Sequence, residues 1–156
     1  MKICFLDNSP IPYTSNDLNS KNIRGGENAI IHLSNELSKL GNNVFVYNSF
    51  KDICVISGVK WLNISHANKN LTYDIAFTNN DIKLFDKIIA KKYVAFSHSI
   101  QSIEKFIRKG QLFSYLKYKP KIVLLGKYHK ENRNYLLKLF GTINLEWAVD
   151  PLFLET

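Results

Sequence analysis

The chain has 156 residues, 46% of them hydrophobic, and carries 21 Lys and Arg against 13 Asp and Glu, a formal net charge of +8. That length suits one domain with one core, spanning residues 1–156, because domains commonly hold about 100 to 200 residues. No apolar run approaches the roughly 18 residues of a membrane span, and the first residues read as a strand, so no cleavable signal peptide is expected.

In chain order, Lys2 to Asp7 (KICFLD) reads as a buried strand, and a polar loop follows over 16–22. Gly25-Gly26-Glu27 then opens a helix that ends at Gly41 and feeds a second strand. Ala29, Ile30, Leu33, Leu37 and Leu40 recur at helical spacing and predict one apolar stripe, with Asn28, Asn35, Glu36 and Lys39 on the wetter side. Strands are predicted near 2–7, 43–48, 53–56, 60–64, 73–77, 93–97, 121–125 and 143–147, and helices near 26–40, 80–90, 99–117 and 128–140. The stretch from Phe50 to Leu71 has a hairpin-like character. Short Val- and Ile-rich runs between amphipathic helices predict an α/β fold, a Rossmann-like three-layer sandwich around a mainly parallel sheet. Cys4 and Cys54 stand in apolar settings and read as reduced core residues of a cytoplasmic protein.

Placement turns these elements into a candidate site. Ligands of open α/β sheets sit outside the carboxyl ends of the strands, which gathers Asp7 to Tyr13, Gly25 to Glu27, Thr78-Asn79-Asn80 and Ser97-His98 around one crevice. Two glycines at a helix start let amide groups approach an anion, and the helix dipole favours negative charge there, so a phosphate or a sugar is the expected guest. Plainer roles remain open. The glycine pair can make a tight loop before the helix, Glu27 can be a first-turn acid favoured by the dipole, and Asn79 with Asn80 can cap the next helix.

Taken together, the glycine pair with Glu27, the helix end Leu37-Ser38-Lys39-Leu40-Gly41, the strand Asn42-Asn43-Val44-Phe45-Val46-Tyr47, and Val94-Ala95-Phe96-Ser97-His98 form a collinear set. Ile122 to Phe140 and Ala148-Val149-Asp150-Pro151 continue it. The set resembles the first domain of the retaining glycosyltransferases of family 4, which have the two-domain GT-B fold. The resemblance implies one half of such an enzyme, with a glycan or lipid acceptor on this side and a nucleotide-sugar donor held mostly by an absent second domain. It implies that His98 lies beside donor and acceptor as the catalytic candidate, with Gly25, Gly26, Glu27, Ser97 and Asn79 binding them. A histidine there can donate to a sugar hydroxyl or move a proton near neutral pH, or simply bond a neighbouring loop. The family's paired glutamates and its diphosphate-holding basic residues belong to the second domain and are not found here. The chain alone is therefore expected to be inactive.

Other classes fit less well. A dinucleotide-dependent oxidoreductase would place glycines directly after the first strand, where Asp7-Asn8-Ser9-Pro10 stands. A P-loop would need Lys and Ser or Thr after the glycines, where Glu27-Asn28 stands. No Cys/His spacing suggests a metal, no nucleophile elbow appears, and no cofactor is expected. A non-catalytic Rossmann-like module binding a glycan, a nucleotide or a partner subunit survives as the alternative. Residues 99–121 carry six basic residues against Glu104 alone, interleaved with Phe106, Phe113, Tyr115, Leu116 and Tyr118. This segment is either a solvated face or a peripheral contact with the inner face of a membrane, and the absence of a recognition motif argues against nucleic acid.

Overall fold

The computed structural model describes residues 1–18, 20–96, 109–124, 127–132 and 138–144. Eight strands form one open sheet: β1 (Lys2–Leu6), β2 (Asn43–Asn48), β3 (Cys54–Ile56), β4 (Val59–Asn63), β5 (Thr72–Asn79), β6 (Ile89–Phe96), β7 (Lys121–Leu124) and β8 (Thr142–Asn144). Their spatial order is β3-β4-β2-β1-β5-β6-β7-β8. Every neighbouring pair is parallel except β3 with β4. The protein is thus α/β with a mostly parallel open sheet, an order compatible with a Rossmann-like fold.

Residues 3 to 6 of β1 are all buried, as a central parallel strand covered on both faces requires. Ile3 and Phe5 join Val44, Val46, Val59 and Trp61 on one face, packed under α1 (Gly25–Lys39) through Ile30 and Ile31. Cys4 and Leu6 join Phe45, Tyr47 and Tyr73 on the other. That second face is covered by a 3-10 helix (Ile82–Lys87) and by α2 (Leu112–Tyr118), which bring Ile82, Phe85 and Tyr115 into the same cluster. A short α3 (Lys127–Asn132) precedes β8. Each fully buried aliphatic chain such as Ile31 contributes roughly 1.5–3 kcal/mol. Cys4 and Cys54 are both free and belong to clusters on opposite faces.

The end of α1 follows from its sequence. Gly41 takes φ +80°, its N–H donates to the Ser38 carbonyl, and the Asn42 N–H reaches back to Leu37, a Schellman closure that favours glycine at this position. Ser57 and Gly58, both at positive φ, make the tight turn between antiparallel β3 and β4. Gly58 also passes so close to α1 that an added Cβ would lie 2.4 Å from the Ser38 hydroxyl.

Three expectations are corrected. The helix expected over 80–90 is a 3-10 helix of six residues, after which Ile89 already begins β6. Its buried Ile82 and Phe85 lie three residues apart, a spacing that eclipses in a 3-10 helix, and Ile88 after it is already extended. A continuous helix over 99–117 does not form, because Gly110 at φ +62° interrupts it and α2 starts at Leu112; residues 97–108 lie outside the described residues. The buried side of α1 runs through Glu27, Ile30, Ile31 and Ser34, with Ala29, Leu33 and Leu37 flanking it. Leu40, expected in the stripe, is 77% exposed as the residue that caps the helix.

Candidate functional site

β1 connects through α1 to β2 on one side, while β5 lies on its other side, so chain direction across the sheet changes between β1 and β5. The crevice outside their carboxyl ends is where such sheets hold ligands. β1 and β5 are in register up to Leu6 opposite Thr78, which brings Asp7 and Asn79, the next residues, side by side. Asp7 continues the ladder, its N–H donating to the Tyr47 carbonyl at 2.9 Å.

Around Asp7 the chain builds a buried polar cluster. The Tyr13 hydroxyl donates to Asp7 Oδ2 at 2.8 Å, the Ser9 N–H to Oδ1 at 3.2 Å, and Asn79 Nδ2 to Oδ1 at 3.4 Å. Ser9 also donates its hydroxyl to Glu27 Oε1 at 2.6 Å, so one serine bridges the two carboxyl groups. Asn48 at the end of β2 donates to the Tyr13 carbonyl at 2.8 Å and ties the loop down. Asp7 and Glu27 are 2% and 4% exposed, and among the described residues no basic side chain pairs with either.

The electrostatics follow from that isolation. Burial pushes the Asp7 carboxyl above its ordinary value, the Tyr13 and Ser9 hydrogen bonds pull it part of the way back, and the Glu27 charge raises it further. Burial and the Asp7 charge push the Tyr13 hydroxyl well above its ordinary value, so Tyr13 stays a hydrogen-bond donor at neutral pH. Two carboxyl groups without a cation disfavour a phosphate in their immediate neighbourhood and suit donors such as sugar hydroxyls.

The first turn of α1 borders this cluster through Glu27. Arg24 caps the helix without a side-chain hydrogen bond, leaving the first-turn amides free of such a cap. Gly25 is exposed, and an added Cβ would meet nothing within 4 Å. The glycine pair is therefore not dictated by crowding at Gly25. The anticipated capping role belongs to Asp81, whose side chain accepts from the Lys83 N–H, and not to Asn79 or Asn80. Asn79 turns toward Asp7, and Asn80 sits at φ +59°. Ser97 and His98 lie outside the described residues.

Glu27, from the first turn that the glycine pair opens, and Asn79 both reach the Asp7–Ser9 cluster at the carboxyl edge. The stretch Asp7 to Tyr13 was placed at this crevice as a whole, with no role for Asp7, Ser9 or Tyr13 individually, and Asn48 was not placed there. A signal existed in the acid that closes the apolar run of KICFLD, since a charge at that point must be buried with partners. A separate open hollow of about 740 Å³ lies at the amino ends of the strands, lined by Met1, Lys2, Asn42, Asp74 and Lys91. There Asp74 is already paired with Lys91 at 2.7 Å. Among the described residues, no group of three or more His, Cys, Asp or Glu is placed to hold a metal. No protein family, curated protein or solved structure matches this chain.

Proposed function

We propose that this chain is the acceptor-side half of a two-domain GT-B glycosyltransferase, serving transfer of a sugar from a nucleotide-sugar donor to a glycan or lipid acceptor and inactive by itself. The observation that carries this reading is the Asp7–Ser9–Glu27 constellation at the β1/β5 crevice, beside the first turn of α1. Buried carboxyl groups fixed by Ser9 and Tyr13 can accept from acceptor hydroxyls. A diphosphate is better served by basic groups of a second domain, in line with the family's division of labour. The same carboxyl pair also favours the second reading, a glycan-binding module without catalysis.

Titration of isotope-labelled protein, followed by NMR, tests the crevice directly. Neutral oligosaccharides are expected to shift the amides of Asp7, Ser9, Gly25, Glu27 and Asn79, and nucleoside diphosphates to shift them less. Glu27→Gln is expected to weaken the saccharide response severalfold. No response to any saccharide at millimolar concentration, or a response confined to other surfaces, would remove the acceptor-side assignment.

A further inference from the structure

α2 buries Ser114 and Tyr115 against the sheet and turns Phe113 and Leu116 outward, 76% and 54% exposed. These two residues are one helical turn apart and adjoin Lys117 on the same outward side. α2 packs on the 3-10 helix, and Lys117 bonds Asp86 there at 2.6 Å while Tyr118 donates to the same carboxyl. Those two contacts hold the Asp86 carboxyl below its ordinary value, and the field of Lys69 adds to them. Asp86 is thus neutralised locally, while Lys69, Lys83, Lys87, Lys109 and Lys119 are exposed and pair with no acid among the described residues. The lysines of the 3-10 helix and those flanking α2 therefore stand on neighbouring elements joined through Lys117 and Asp86, and of the basic segment 99–121 only residues 109–121 belong to the described part of this surface.

We propose that this surface rests on an anionic lipid bilayer, with Phe113 and Leu116 entering the headgroup region and the surrounding lysines meeting lipid phosphates. The charge of the surface complements an anionic leaflet, and among the described residues no helix is long and apolar enough to cross a membrane, so contact would be peripheral. Nucleic acid shares the phosphate chemistry, but an exposed leucine beside the phenylalanine gains from acyl chains and has nothing to gain from a sugar-phosphate backbone. The inference holds whatever the crevice binds.

Vesicle flotation with the full chain tests it, using phosphatidylcholine alone and equal parts phosphatidylcholine and phosphatidylglycerol. Binding is expected to the mixed vesicles only, to weaken with salt, and to drop about fivefold for each of Lys87→Gln and Lys119→Gln. The pair Phe113→Ser with Leu116→Ser is expected to lower it at least tenfold, whereas Lys21→Gln with Lys51→Gln, exposed lysines outside this surface, is expected to leave it unchanged. Equal loss in that control would assign the effect to diffuse net charge and overturn the proposal. So would binding indifferent to Phe113 and Leu116, or salt-sensitive binding to polyuridylate with none to vesicles.

Discussion

Two aspartates in this molecule each accept a hydrogen bond from a tyrosine hydroxyl, Asp7 from Tyr13 at 2.8 Å and Asp86 from Tyr118 at 2.5 Å. Around Asp86 an ammonium group is at hand and water is near, and Lys117 draws the carboxyl below its ordinary value. Around Asp7 burial dominates, the nearest charge is another carboxylate, and the group is pushed up. The same bond therefore plays unlike parts. At the surface it adds little to stability, because both partners remain hydrated. In the crevice it offsets a desolvation cost that an apolar residue would not incur. A buried acid retained without a cation breaks the local rule for stability, and such breaks concentrate where a protein meets its ligand.

Removing the two hydroxyls breaks this comparison most sharply. Tyr13→Phe leaves Asp7 short of a donor in a buried place and is expected to cost about 1–3 kcal/mol, whereas Tyr118→Phe is expected to stay within about 0.5 kcal/mol. Urea unfolding midpoints at constant slope read both. Equal costs would mean that water reaches Asp7 as freely as it reaches Asp86.

A smaller effect appears in the pH dependence, where the two acids act with opposite sign. Asp7 has a raised folded value, so the stability it contributes is present below the ordinary aspartate value near 3.8 and is lost as pH rises through the folded value. Asp86 has a lowered folded value, so its contribution is present above 3.8 and is lost as pH falls through the folded value. Asp7→Asn should therefore remove a decline in stability on going from about pH 3 to pH 7, and Asp86→Asn should remove a rise over the acid end of that range. Unfolding midpoints measured across that interval decide, and parallel curves for the two variants would contradict the assigned environments.

The sheet was legible because its central strands are short, continuous apolar runs buried on both faces and bounded by polar or turn residues, as in KICFL and NVFVYN. The Gly41 stop was legible for a similarly local reason, since left-handed backbone favours glycine. What escaped depends on neighbours distant in sequence. Leu40 has the right spacing for the α1 stripe, yet it caps the helix outside the core. Ile82 and Phe85, three residues apart, fit either a 3-10 or an α-helix until the short span between β5 and β6 is known. In the crevice, Gly25 to Glu27 and Asn79 were marked by their positions at element ends. Ser9 and Tyr13 lie in an irregular loop, and only the folded chain shows them turned onto Asp7.

Gly25 carries the smallest expected effect and separates a ligand role from a folding role. Its φ is not left-handed and the space before its Cα is open, so alanine fits there without strain. Alanine restricts the unfolded chain and favours the helix, so Gly25→Ala should stabilise the protein by about 0.4–1 kcal/mol. Gly58→Ala, at φ +75° and against Ser38, should instead destabilise by about 1 kcal/mol or more. If the open space before α1 admits a ligand, the added methyl group should weaken saccharide binding even as the thermal midpoint rises. A rise in midpoint with unchanged binding would make the glycine a matter of loop geometry and leave recognition beside the first turn, among the described residues, to the carboxyl pair.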